Sequence, residues 1–87
     1  STTVTFPNET TASSPALYVA TASLGQNTTV SSYPSDCPEN RARTSNSTGD
    51  ITAMACSSAG TEGTSFTPNN AKIATAAAKS SMTWGII

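Results

Sequence analysis

Histidine is missing from this 87-residue chain, and that absence removes whole chemistries. No Ser-His or Cys-His nucleophile pair can be built, and the imidazoles that hold most catalytic zinc are lacking. Charge is nearly as scarce, with four Lys or Arg against five Asp or Glu and a formal net charge of −1. A nucleic-acid binder needs clustered cations to displace phosphate counterions, so no nucleic-acid partner is expected. Long apolar runs are absent as well. Nothing approaches the roughly 20 residues of a membrane-spanning helix, so no transmembrane segment is expected. The five glycines are scattered at turn positions rather than gathered into a phosphate-binding loop, and no cofactor is expected.

Large apolar side chains are the most telling shortage. Leu, Ile, Val and Phe supply only 11 of the 87 residues, whereas Ser and Thr supply 30. Such a low aliphatic share accompanies disorder when net charge is high, and here it is not. Much of the 36% apolar content is alanine, so a core must be drawn from about sixteen larger residues. At about 1.5–3 kcal/mol for each one fully buried, they leave little margin against chain entropy. A chain of this length and composition needs support from a disulfide, attached glycans or a partner subunit.

The first support is visible. Cys37 and Cys56 are the only cysteines, without CxxC spacing or histidine nearby, which favours a disulfide over a metal site. Closing that loop stabilises the fold by about 3 kcal/mol, chiefly by restricting the unfolded chain. The second is offered by three Asn-x-Ser/Thr triplets, at Asn8, Asn27 and Asn46, none blocked by proline. Opening on Ser1 rather than Met suits a processed chain. Together these features lead to the expectation of a secreted, extracellular, N-glycosylated protein.

Alternation dominates the local patterns. Residues 2–6 place Val4 and Phe6 on one side, and residues 81–87 do the same for Met82, Trp84 and Ile86. Residues 16–24 carry apolar groups on both faces, as an internal strand would, and Gly25-Gln26-Asn27 followed by residues 28–33 predicts a hairpin. Residues 38–49 read as a charged, exposed excursion. Residues 51–56 form a further strand, residues 57–63 a turn, and residues 64–67 a short strand centred on Phe66. One short Ala-rich helix is the expectation over Ala71–Lys79, with Asn69 or Asn70 as its cap and a strand as the alternative. The predicted fold is mainly β: a small disulfide-stapled antiparallel sheet or sandwich spanning residues 1–87 as one domain.

Catalysis finds little to work with. Asp36, Glu39 and Asp50 gather near the cysteines, where paired carboxylates or a calcium site are conceivable readings. Charges balancing Arg41 and Arg43 on a solvated loop are the simpler one, and no enzyme is expected. Arg41-Ala-Arg43 also has the look of a processing signal in an exposed loop. Tyr18, Tyr33 and Trp84 offer either a sugar-stacking platform or core aromatics.

The chain ends carry more apolar material than ends require, since termini fray unless docked. The terminal strands, residues 2–6 and 81–87, either close one sandwich or are exchanged between subunits by β-strand addition. Val4, Phe6, Met82, Trp84 and Ile86 are the candidate assembly residues. The expected function is that of a structural subunit of an extracellular surface layer or pilus-like filament, a homo-oligomer carrying N-linked glycans. The rival expectation is a monomeric secreted module or effector that recognises a sugar or a host protein.

Overall fold

In the computed structural model, which describes residues 1–11, 13–60 and 64–87, the alternating pattern is realised as nine strands, with no helix among the described residues. In chain order they are β1 (Thr3–Val4), β2 (Glu9–Thr10), β3 (Leu17–Leu24), β4 (Val30–Ser32), β5 (Glu39–Asn46), β6 (Ile51–Ala59), β7 (Ser65–Phe66), β8 (Ala71–Ile73) and β9 (Lys79–Ile86). Every pairing is antiparallel. The long strands form one sheet in the order β5-β6-β3-β9, the short ones a sheet β1-β8-β4 and a ribbon β2-β7.

Period-two geometry explains why two layers form. On β3, Tyr18, Ala20, Ala22 and Leu24 point inward and are buried, while Leu17, Val19, Thr21 and Ser23 point outward. The neighbouring β6 adds Thr52, Met54 and Cys56 to the inner face. Val4 of β1, Phe6, and Ala71 and Ile73 of β8 cover these residues from the second sheet. The β2-β7 ribbon closes one end, where the Phe66 ring packs on Tyr18 with centroids 4.6 Å apart. At Gly60, just past β6, the backbone passes so close to the start of β3 in the same sheet that an added Cβ would lie 1.9 Å from the Pro15 carbonyl oxygen.

The Cys37–Cys56 disulfide is present and buried, with Cα atoms 5.6 Å apart. It ties the bend before β5 to the middle of β6. A second fastening is polar. Buried Thr52 accepts the Thr28 N–H through Oγ1 at 3.1 Å and donates to the Gln26 carbonyl at 2.8 Å. Thr28 Oγ1 in turn accepts the Thr75 N–H, and Arg43 donates to the Thr28 carbonyl.

Four local expectations are corrected. The Ala-rich helix over Ala71–Lys79 does not form. Ala71 and Ile73 alternate into the core as β8, and Lys79 opens β9. Ile73 is the only large apolar residue in that stretch, so a helix would bury almost nothing, whereas β8 completes a sheet between β1 and β4. The 16–33 hairpin is replaced by a crossover: β3 pairs with β6 and β9, and β4 joins β8 in the other sheet. Burial and bonding of Thr28 carry the chain across. Residues 39–46 of the charged excursion form the edge strand β5, whose eight residues are all exposed. Its arginines are bonded back to carbonyls of the preceding chain. Arg41 donates to the Pro34 and Cys37 carbonyls and lies over the Tyr33 ring. Of the turn expected at 57–63, residues 57–59 extend β6, and residues 61–63 lie outside the described residues.

Candidate functional site

The four-stranded sheet has two faces, and among the described residues the second layer covers only one. Strand registers assemble the outer face row by row. Ile86 sits beside Leu17 and Ala59, Trp84 beside Val19 and Ser57, and Met82 beside Thr21, Ala55 and Ala42; Ser80 lies beside Ser23, Ala53 and Thr44. Large apolar groups therefore stand along β9, and small ones floor the middle of the sheet. Met82, Trp84 and Ile86 are 49%, 46% and 51% exposed, and Ile51 at the far corner is 56% exposed. The Trp84 indole N–H donates to Thr21 Oγ1 at 3.3 Å, which lays the ring over the β3 side of the ridge.

Beside the ridge runs an open trough. One part, about 350 Å³, is lined by Thr21, Ser23, Ala42, Thr44, Ala53 and Ala55. It continues toward the turn after β5 as a depression of about 840 Å³ bordered by Asn46, Ile51, Ala78, Lys79 and Ser80. Alanines on β5 and β6 form the trough by leaving room above the backbone. No family model, curated protein or solved structure matches the chain.

The candidate assembly residues divide cleanly. Val4 and Phe6 are 0% and 5% exposed and belong to the chain's own core; Met82, Trp84 and Ile86 line the open face. The N-terminal segment is held against the inner side of β9, where Ser81 and Thr83 hydroxyls donate to the Thr5 and Pro7 carbonyls.

The three sequon asparagines are all exposed but differ in their bonding. Asn8 is bonded through both side-chain atoms: Nδ2 donates to Thr10 Oγ1, and Oδ1 accepts from Ser65 and Thr67. Asn46 uses Oδ1 to cap the turn through the Thr48 and Gly49 N–H groups, leaving Nδ2, the atom that carries a glycan, directed elsewhere. Asn27 lies in the crossover between β3 and β4.

The acidic residues do not converge. Asp36 accepts the Asn69 N–H, and Glu39 and Asp50 lie at opposite ends of the β5 hairpin, about 24 Å apart along the strand. Nor do the aromatics form one platform, because Tyr18 points inward and Trp84 outward. Sequence reasoning missed the alanine floor. Its signal was the alternation of Ala53 and Ala55 with Thr52 and Met54, which identifies a face without saying what covers it.

Proposed function

We propose that the protein is a secreted structural subunit that assembles with copies of itself outside the cell, through the outer face and edge of β9. The observation that carries this reading is the uncovered sheet face with Met82, Trp84 and Ile86 half-exposed on one strand. Contiguous apolar patches rimmed by polar residues mark interaction surfaces. A buried disulfide suits an oxidising compartment, in keeping with an extracellular location. Export and glycan attachment at Asn27 and Asn46 belong to the same proposal, with sugars and hydroxyls keeping the rest of the surface soluble.

Energetics set the scale of assembly. Covering the exposed half of those three side chains is worth roughly 1 kcal/mol each, which reaches only the lower end of the about 4–15 kcal/mol cost of association once two copies are counted. The face therefore supports weak, concentration-dependent association unless backbone bonding adds to it. Sedimentation velocity from 1 to about 500 μM tests this. The expected result is a rising weight-average mass that Trp84→Ser returns to the monomer value. A wild-type monomer throughout overturns the reading.

One observation favours the rival. The depression of about 840 Å³ is rimmed by hydroxyl and amide groups from Thr44, Ser45, Asn46 and Ser80, a lining suited to a small polar ligand such as a sugar. A persistent monomer that binds immobilised glycans, and loses binding on Asn46→Ala, would establish that module.

A further inference from the structure

The two edges of the large sheet are built differently, and the difference identifies which one is left available. Exposed strand edges invite pairing with another chain, and proteins usually block them with charges, bulges and twists. β5 carries both charges and a bulge. Glu39, Arg41 and Arg43 line it, its register slips between Glu39 and Ala42, and Asn40 takes a left-handed φ of 51°. β9 carries none of them beyond Lys79: residues 80–87 hold no charge, no proline and no register slip.

Backbone phase gives the same answer. Gly25 N–H donates to the Ala78 carbonyl in register with the β3–β9 ladder. In an antiparallel pair, alternate residues turn both backbone groups to the same side. Residues 80, 82, 84 and 86 therefore face β3, and 81, 83 and 85 present N–H and C=O to the open edge. Among the described residues, the backbone partners of β9 are β3 and its flanks Ala16 and Gly25. Residues 5–7 lie under the inner face, bonded to side-chain hydroxyls, and leave that backbone row unpaired.

We infer that this edge docks β9 of a second copy, antiparallel about a twofold axis at Thr83, joining two four-stranded sheets into one of eight. The inference rests on the assembly reading and specifies its first contact. Centring on Thr83 pairs residues 83 with 83, 81 with 85 and 85 with 81, forming about six backbone hydrogen bonds from groups already aimed outward. The same register sets Met82 beside the partner's Trp84 on the outer face, twice by symmetry. A thioether against an indole is a favourable contact, and no like charges are brought together. Two eight-residue edges about 27 Å long meet at the small end of specific interfaces, so the backbone bonds supply the directionality the apolar ridge lacks. Both β9 edges are consumed in the pair. The new sheet ends on two guarded β5 strands, and its outer apolar face is doubled for further packing.

Cysteine cross-linking tests the register. In this pairing residues 82 and 84 of opposite copies face each other as a non-hydrogen-bonded pair with Cβ atoms about 4.5–5.5 Å apart, close enough for a disulfide, whereas 82–82 and 84–84 are diagonal neighbours and too distant. Mixed Met82→Cys and Trp84→Cys chains, oxidised gently and mapped by mass spectrometry, should form the 82–84 link several-fold more than either variant forms its own dimer. Trp84→Lys, whose side chain projects outside the fold, should keep the native circular dichroism and weaken association at least tenfold by sedimentation. Assembly of the wild type without preferential 82–84 linkage overturns the edge pairing and leaves the assembly reading standing. A wild type that never associates overturns both.

Discussion

Replacing both cysteines by alanine, C37A/C56A, should cost this protein most of its margin. The bond closes a loop of sequence separation 19, for which restriction of the unfolded chain contributes about 3 kcal/mol. Both sulfurs are buried, at 0% and 1% exposure, so removing them adds a packing loss of about 1 kcal/mol at each site. An 87-residue domain has a total stability of about 4–13 kcal/mol, so these losses, about 5 kcal/mol together, exceed the lower end of that range. Unfolding entropy near 2.1 cal/mol/K per residue gives about 0.18 kcal/mol/K for the chain, so the loop term alone lowers Tm by about 16 °C. The packing loss carries the double variant to a drop near 25 °C. Circular dichroism melts of the native, chemically reduced and double-alanine proteins separate the two contributions, because the reduced protein keeps its sulfurs. Urea titration adds an independent readout. The m-value should rise once the unfolded chain is released from its cross-link and exposes more surface. A double variant melting within about 5 °C of the native protein would refute the reasoning, since the apolar core would then stand without its staple.

Other outcomes follow from single contacts. Thr52→Val should lower stability by about 1–3 kcal/mol in chemical denaturation, because it leaves the Thr28 N–H and the Gln26 carbonyl without their partner. Gly60→Ala should cost about 3 kcal/mol, since its Cβ meets Pro15 backbone at 1.9 Å. Gly85→Ala meets the Thr11 side chain at 2.7 Å, which can turn aside, so its cost should stay below about 1.5 kcal/mol by the same measurement. Secreted from a eukaryotic host, the protein should lose one glycan mass with Asn27→Gln and one with Asn46→Gln. Asn8→Gln should instead lower Tm, because Asn8 bonds to Ser65 and Thr67 across the β2–β7 ribbon.

Strands whose two faces differ in the sequence were legible in it. Residues 17–24 carry apolar groups on both faces, and that pattern matches the internal position of β3 between β6 and β9. The disulfide was equally legible, because two cysteines without histidine leave few other uses. Long-range pairing was not. Gly25-Gln26-Asn27 has good hairpin chemistry, yet the decision to cross to the other sheet lies with Thr28 and Thr52, 24 residues apart, whose hydroxyl bonding has no local signature. Residues 71–79 misled for a related reason. Alanine's helical preference is a few tenths of a kcal/mol per residue and yields to a strand that buries Ile73. The pattern placed the five candidate assembly residues on two apolar stripes. It could not tell the stripe that fills the core, Val4 and Phe6, from the one left outside, Met82, Trp84 and Ile86, because both alternate alike.

The sulfur bond also changes the topology of the molecule. Residues 37–56 and the bond form a closed ring, and Arg41 and Arg43 lie on it in the fully exposed β5. A protease that cuts after either arginine opens that ring without releasing a fragment, producing a two-chain molecule still joined through sulfur. Such nicking would be invisible on a non-reducing gel and would release two pieces of about half length once the sample is reduced, β3 in the N-terminal piece and β6 and β9 in the C-terminal one.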